Sequence, residues 1–162
     1  MTPASAAASA VAPAVEAFAA ARDFLSRLPQ PALDLAFRIG IASVFFKSGL
    51  VKIGNWTAAV ALFRDEYRVP ILPPEAAALL ATVAELTCPM MLILGLGARL
   101  GAAALLAMTA VIQIFVYPAN WSEHLIWAAP LAHLLTRGPG RWSIDELIAR
   151  RWLDGSSAVG VR

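Results

Sequence analysis

The chain is poor in charge and in cysteine. Of its 162 residues, only 15% are charged, while 59% are hydrophobic; soluble domains are about 25% charged. The single cysteine, Cys88, cannot form an internal disulfide, and there is no CxxC pair, so the chain has no dithiol chemistry of its own. No P-loop, CxxCH, GxSxG or HExxH motif is present, which removes support for nucleotide binding, covalent haem attachment, serine hydrolysis and zinc proteolysis.

Basic residues are also missing from the start of the chain, where the first is Arg22. A secretory signal peptide needs a basic segment ahead of its apolar stretch, so none is predicted. Residues 1–12 are expected to form a disordered Ala/Ser/Pro tail within an N-terminal segment of residues 1–31. The formal charge of the chain is only +2, and its arginines lie at the ends of the apolar segments. This placement favours lipid headgroups over nucleic acid as partners.

What the chain has in excess is long apolar runs. A helix needs about 20 apolar residues to cross a bilayer, and four candidate spans cover about residues 32–53, 75–97, 99–117 and 121–137. The last is short and polar at its start, so a re-entrant or surface helix is the alternative there. The expected fold is an all-α membrane protein with a four-transmembrane-helix bundle over residues 32–137, followed by a cytoplasmic amphipathic segment over 138–162.

The distribution of Lys and Arg predicts the orientation. With four spans, one side of the membrane holds eight basic residues and the other side holds three, namely Lys52, Arg64 and Arg68. The positive-inside rule places both termini in the cytoplasm of a bacterial inner membrane. Aromatic residues near the span ends are typical of an interfacial belt: Trp56, Tyr67, Tyr117, Trp121, Trp142 and Trp152.

Three amphipathic interfacial helices are also predicted, at the two termini and in the first outer loop. Ser143 and Glu146 form a capping box that begins the C-terminal helix, and Gly155 is expected to end it. Weaker apolar periodicity covers residues 14–28 and 56–68.

The candidate site is a set of polar residues within the apolar runs. Glu85 lies near the middle of the second span, where a carboxylate is costly unless it is paired, protonated or facing water. Arg38, Lys47 and Lys52 lie on the first span. At 100° per residue, Arg38 and Lys52 share a face while Lys47 points the opposite way. Arg38 is the preferred partner of Glu85, with Lys47 as the alternative, because a bidentate arginine pair tolerates burial best. Lys52 belongs to the same candidate set, but it lies near the outer end of the span, from where it can snorkel to the interface.

Gln113 on the third span is a further candidate for this set, or else for an interhelical hydrogen bond. His124 is the candidate titratable residue at the outer interface. His124 and His133 lie nine positions apart and face opposite ways on the fourth span, so no metal site is predicted.

Residues 34–150 resemble the DoxX family of small bacterial membrane proteins. The resemblance rests on the order and spacing of Arg38, Glu85 and several short stretches: 45–56 (FFKSGLVKIGNW), 63–74 (FRDEYRVPILPP), 94–102 (LGLGARLGA), 121–128 (WSEHLIWA) and 138–145 (GPGRWSID). It implies a four-helix inner-membrane protein. Related families are linked to thiosulfate:quinone oxidoreduction, and some members to oxidoreductase complexes that counter oxidative stress.

Three functions follow as alternatives. The first is a membrane subunit of a redox or stress-response system linked to a quinone or a small sulfur compound. In that case other membrane or soluble redox subunits would supply the redox centre, because the chain shows no intrinsic cofactor site. The second is a small proton-coupled transporter or carrier, and the third is a non-catalytic membrane scaffold. Catalysis and homo-oligomer formation stay open.

Overall fold

The structure is a computed structural model that describes the backbone of residues 3–159 and the side chains of residue 13 and residues 15–152. Over that range the regular structure is helical throughout. The elements are α1 (Pro3–Ser26), α2 (Gln30–Gly54), α3 (Trp56–Leu62) with a π-helical turn (Phe63–Tyr67), α4 (Pro74–Leu94), α5 (Ala98–Val111) with a second π-helical turn (Ile112–Val116), α6 (Trp121–Arg137) and α7 (Ile144–Val159).

Four of these helices form a bundle. Helix α2 packs on α4, α4 on α5, α5 on α6, and α6 closes back against α2. The core is apolar and tightly closed, and its fully buried residues include Leu92, Leu105, Leu131 and Leu134. The four helices lie where the sequence predicts the four spans.

The close contact between α2 and α4 depends on Gly49. A Cβ atom at this position would lie 2.9 Å from Leu86 Cγ and 3.1 Å from Glu85 Cβ. The missing side chain therefore lets α2 approach α4 beside Glu85, since protein interiors are close-packed and have no spare room for a methyl group.

Helix α3 and its π-helical turn fold over the N-terminal half of α4. The side chain of Asn55 accepts a hydrogen bond from Ala58 N at 3.0 Å and so caps α3. Val60 and Phe63 then pack against Ala77 and Ala78 in a second apolar cluster. This confirms the helix predicted over residues 56–68 and covers the polar residues that lie deeper along α4.

Two of the described helices, Pro74–Leu94 and Ala98–Val116, are long and apolar enough to cross a membrane, each with a mean hydropathy of 1.9. Helices α2 and α6 carry more charged or polar residues. Many of these are buried inside the bundle, including Asp34, Arg38, Lys52 and His124.

Both ends of the chain differ from the sequence-based expectation. Helix α1 begins at Pro3, whereas residues 1–12 were expected to be disordered; this stretch is rich in alanine, the residue with the highest helix propensity. At the other end, Ser143 Oγ accepts a hydrogen bond from Glu146 N at 3.2 Å, which confirms the serine half of the predicted capping box. The Glu146 carboxylate accepts from Arg150 Nε at 2.9 Å. Helix α7 does not stop at Gly155 but continues to Val159.

Candidate functional site

A buried ion pair joins α2 to α4. Lys52 Nζ lies 2.7 Å from Glu85 Oε2 and 2.8 Å from Oε1, and the two side chains are only 9% and 6% exposed. Lys52 Nζ also donates to Ser48 Oγ at 2.9 Å, and Ser48 Oγ donates to Glu85 Oε1 at 3.1 Å. All three ammonium protons are thereby used. The pair is therefore neutral as a unit and fully hydrogen-bonded, which is the condition under which buried charges are tolerated.

This arrangement corrects the expected pairing of Glu85 with Arg38. Arg38 donates instead to four backbone carbonyl oxygens at the opposite end of the bundle. They belong to Leu92 at 2.8 Å, Ile93 at 2.6 Å, Trp142 at 2.7 Å and Pro139 at 3.0 Å. The first two are carbonyls in the last turn of α4, where the regular helical donors are missing; Leu92 O also accepts from the capping Gly95 N at 3.1 Å. Arg38 is thus a clamp between the end of α4 and the segment that leads into α7.

Lys47 is not the partner of Glu85 either, because its side chain is exposed on the outside of the bundle. The inner face of α2 is a stripe of residues at three- and four-residue spacing: Arg38, Ile41, Phe45, Gly49 and Lys52. Lys47 lies off this stripe. Lys52 was expected to reach the outer interface, but α4 extends eleven residues beyond Glu85 on that side and α3 folds over it. Lys52 is consequently covered.

The ion pair lines a cavity of about 410 Å³ between the four-helix bundle and the segment formed by α3 and its π-helical turn. Most of the walls are apolar or aromatic; Phe45 and Trp127 come from α2 and α6, and Phe63 comes from the first π-helical turn. Lys52, Glu85 and Ser48 supply a concentrated polar patch. Small-molecule sites typically have about 300–1,000 Å³, apolar walls and a few polar groups that orient the ligand, and this cavity fits that description.

Two tyrosines line the same cavity from the two π-helical segments. Tyr67 ends the first π-helical turn, and Tyr117 follows the second; their rings meet edge to face at 5.8 Å between centroids. Tyr117 donates a hydrogen bond to the Glu66 carboxylate, which raises the pKa of the Tyr117 phenol above its ordinary value. Burial raises the pKa of Tyr67. Both phenols therefore stay neutral at physiological pH. Single-turn π-helices occur often at functional sites.

Gln113 and His124 lie apart from the ion pair and contact each other. His124 Nδ1 is 2.7 Å from Gln113 Oε1, which joins the second π-helical turn to α6. This is the interhelical hydrogen bond that the sequence left as the alternative for Gln113. His124 was expected at the outer interface; its side chain is 4% exposed, beside a second groove on the bundle surface.

Several residues of the cavity were not among the candidates from the sequence. Ser48 is the clearest, and it had a detectable signal because it lies four positions before Lys52, on the same helix face. Tyr67 gave no such signal, since aromatic residues near the ends of apolar runs are expected at any membrane interface. Trp127 gave none either, because it lies inside the fourth span, where a large aromatic residue is expected to pack in any core.

Comparison with known proteins identifies the family. The family model named DoxX matches residues 33–118. That range holds Lys52, Glu85 and every cavity residue except Trp127. No curated protein and no solved structure matches the chain significantly. The matched range covers more than half of the chain and contains most of the cavity, and the chain therefore belongs to the DoxX family.

Proposed function

We propose that this protein is a four-span inner-membrane subunit of a redox or stress-response system, with both termini in the cytoplasm. We further propose that its cavity binds a neutral quinone ring. The observation that carries this proposal is the neutral Lys52–Glu85 pair at the wall of an otherwise apolar cavity. Electrons would come from a partner subunit that carries a redox centre, because this chain has only one cysteine.

The four-span topology is supported by the surface of α2 as well as by the hydropathy of α4 and α5. The outward face of α2 is apolar, with exposed side chains that include Phe37, Ile39, Leu50 and Val51. Its buried charges Asp34, Arg38 and Lys52 face the bundle. This is the distribution expected of a membrane helix with internal polar groups, where charged side chains avoid lipid. Lys47 is exposed seven residues before the end of α2, within reach of the interface by snorkelling.

The cavity's electrostatics favour a neutral ligand over a small sulfur oxyanion. An anion would have to draw Lys52 away from Glu85, which would leave a buried carboxylate without its counterion and cost several kcal/mol. A quinone carbonyl needs only one hydrogen bond. The ammonium or a tyrosine hydroxyl can share a proton between that carbonyl and its present acceptor. The aromatic walls at Phe45, Phe63 and Trp127 suit a flat ring.

Binding of a short-chain ubiquinone analogue to the protein in nanodiscs tests the proposal, measured by quenching of tryptophan fluorescence. Trp127 lines the cavity, so a ring bound there lies close to it. We expect saturable quenching in the wild type. The affinity for the quinone analogue should be at least tenfold lower in Lys52→Gln. Lys47→Gln is the matched control, because it removes an exposed ammonium from the same helix.

Three results would contradict the quinone assignment: no saturable quenching, equal affinity in wild type and Lys52→Gln, or tighter binding of thiosulfate than of the quinone analogue. Proton-coupled uptake of a solute by proteoliposomes, abolished in Glu85→Gln, would instead support the carrier alternative.

A further inference from the structure

We infer that a second ligand site lies on the outside of the bundle, between α5 and α6, and that it binds a membrane amphiphile through a hydroxyl group donated to His124 Nε2. The site is a groove of about 310 Å³. His124 does not line the larger cavity that contains Lys52 and Glu85, so this inference is independent of the quinone proposal. The lining residues that bear on the ligand are Gln113, Trp121, His124 and Leu125.

The first step is the tautomer of His124. Gln113 Nε2 donates to Pro118 O at 2.9 Å, which orients the amide so that its oxygen faces His124. An amide oxygen can only accept, so His124 Nδ1, at 2.7 Å from that oxygen, must carry the proton. In the neutral imidazole the other nitrogen, Nε2, then presents a lone pair.

The second step is the environment of Nε2. Within the described side chains, no hydrogen bond reaches this atom, although His124 is only 4% exposed. No polar side-chain atom in that part of the chain is both sealed from solvent and unpartnered. Nε2 is therefore not sealed, and the groove is an open space that His124 lines. The result is one hydrogen-bond acceptor, fixed in direction, in a largely apolar groove.

The third step is the chemical class of the ligand. Apolar side chains around the groove are exposed outward, as expected of a lipid-facing surface; Trp121 is 64%, Leu125 57% and Ile126 71% exposed. A ligand that enters from lipid must be apolar over most of its surface, and an unprotonated imidazole nitrogen selects a donor head. Aliphatic alcohols and phenols share this chemistry, and a site with one acceptor fixed in direction favours a ligand whose hydroxyl can pair with it.

Nitrogen-15 NMR of the histidine side chains tests the inference directly. The chain has only two histidines, and a His133→Gln variant assigns their signals. The labelled full chain is placed in phosphatidylcholine nanodiscs, because this headgroup has no hydroxyl that would compete. Decanol is titrated in one arm and trimethylhydroquinone in another, with decyl methyl ether as the matched control that lacks the donor hydrogen.

We expect a saturable upfield shift of the His124 Nε2 signal with at least one hydroxyl probe and none with the ether, while His133 does not respond. The arm that responds distinguishes an aliphatic lipid hydroxyl from a phenolic one. In Gln113→Leu the tautomer is no longer held, so the response should weaken. The inference is overturned if no hydroxyl probe shifts Nε2, if the ether shifts it equally, or if Gln113→Leu responds as strongly as the wild type.

Discussion

Lys52 and Glu85 neutralise each other across the interface of α2 and α4, with 2.7 Å between Nζ and Oε2. Neither residue has another oppositely charged side chain within ion-pair distance in the described part of the chain. Each buried charge is therefore the counterion of the other, and removing one of them leaves the other uncompensated. This dependence gives the pair a measurable signature that is separate from any ligand.

Glu85→Gln should lower the free energy of unfolding by about 3–5 kcal/mol, because it leaves a buried ammonium without a counterion. The double variant Lys52→Met/Glu85→Leu should recover most of that loss, since replacing both charges by apolar groups removes the penalty. Thermal unfolding in detergent measures both. Lys47→Gln should change stability by less than about 0.5 kcal/mol. Equal losses in Glu85→Gln and Lys47→Gln would show that the pair does not form.

Arg38→Lys should loosen the end of the bundle where α4 terminates, even though the charge is kept. A lysine lacks the planar fork that lets Arg38 reach the carbonyls of Leu92 and Trp142 together. We expect faster hydrogen exchange at the Asp145 amide, which bonds Gly95 O at 2.8 Å. Arg64→Lys is the control, because Arg64 is exposed. Unchanged exchange in Arg38→Lys would argue against the clamp.

Two glycines of α2 should respond in opposite directions to alanine. Gly40→Ala should raise stability by about 0.5–1 kcal/mol, since a Cβ there meets nothing within 4 Å and alanine favours helix. Gly49→Ala should lower it, because a new Cβ would lie 2.9 Å from Leu86. Denaturation midpoints of the two variants provide the comparison. A gain in Gly49→Ala would mean that α2 and α4 are not in close contact.

The two tyrosines should ionise late in the folded protein. The pKa of Tyr67 and of Tyr117 is raised above the ordinary value of 10.0, by burial and by the bond to Glu66 respectively. Between the unfolded and folded pKa values the unfolded chain has lost protons that the native state keeps, so stability falls as pH rises through this window. Their contribution is fully present below about pH 10.

Spectrophotometric titration of tyrosinate measures this shift, with the unfolded chain as reference. Tyr117→Phe should leave one late-ionising phenol. If folded and unfolded protein titrate together, the contact between Tyr117 and Glu66 is absent in solution.

The spacing of charges on α2 was enough to predict part of the candidate site. Arg38 and Lys52 lie fourteen residues apart, so they share the buried face of α2, and Lys47 lies off it. The prediction was wrong about the depth of Lys52 along the axis of α2. The lengths of the apolar runs suggested that Lys52 was near the membrane surface. They did not reveal that α3 folds back over the N-terminal half of α4.

The amino-acid sequence determined the helical class, the family, the buried stripe of α2 and the cost of a carboxylate at Glu85, because periodicity and composition are local properties of the chain. Only the tertiary structure decided that Lys52 is the partner of Glu85, that Arg38 binds carbonyls instead, and that an apolar cavity lies beside the pair. These depend on the offset between antiparallel helices and on the fold of the outer loop. Both are set by packing between distant residues, such as Gly49 against Leu86.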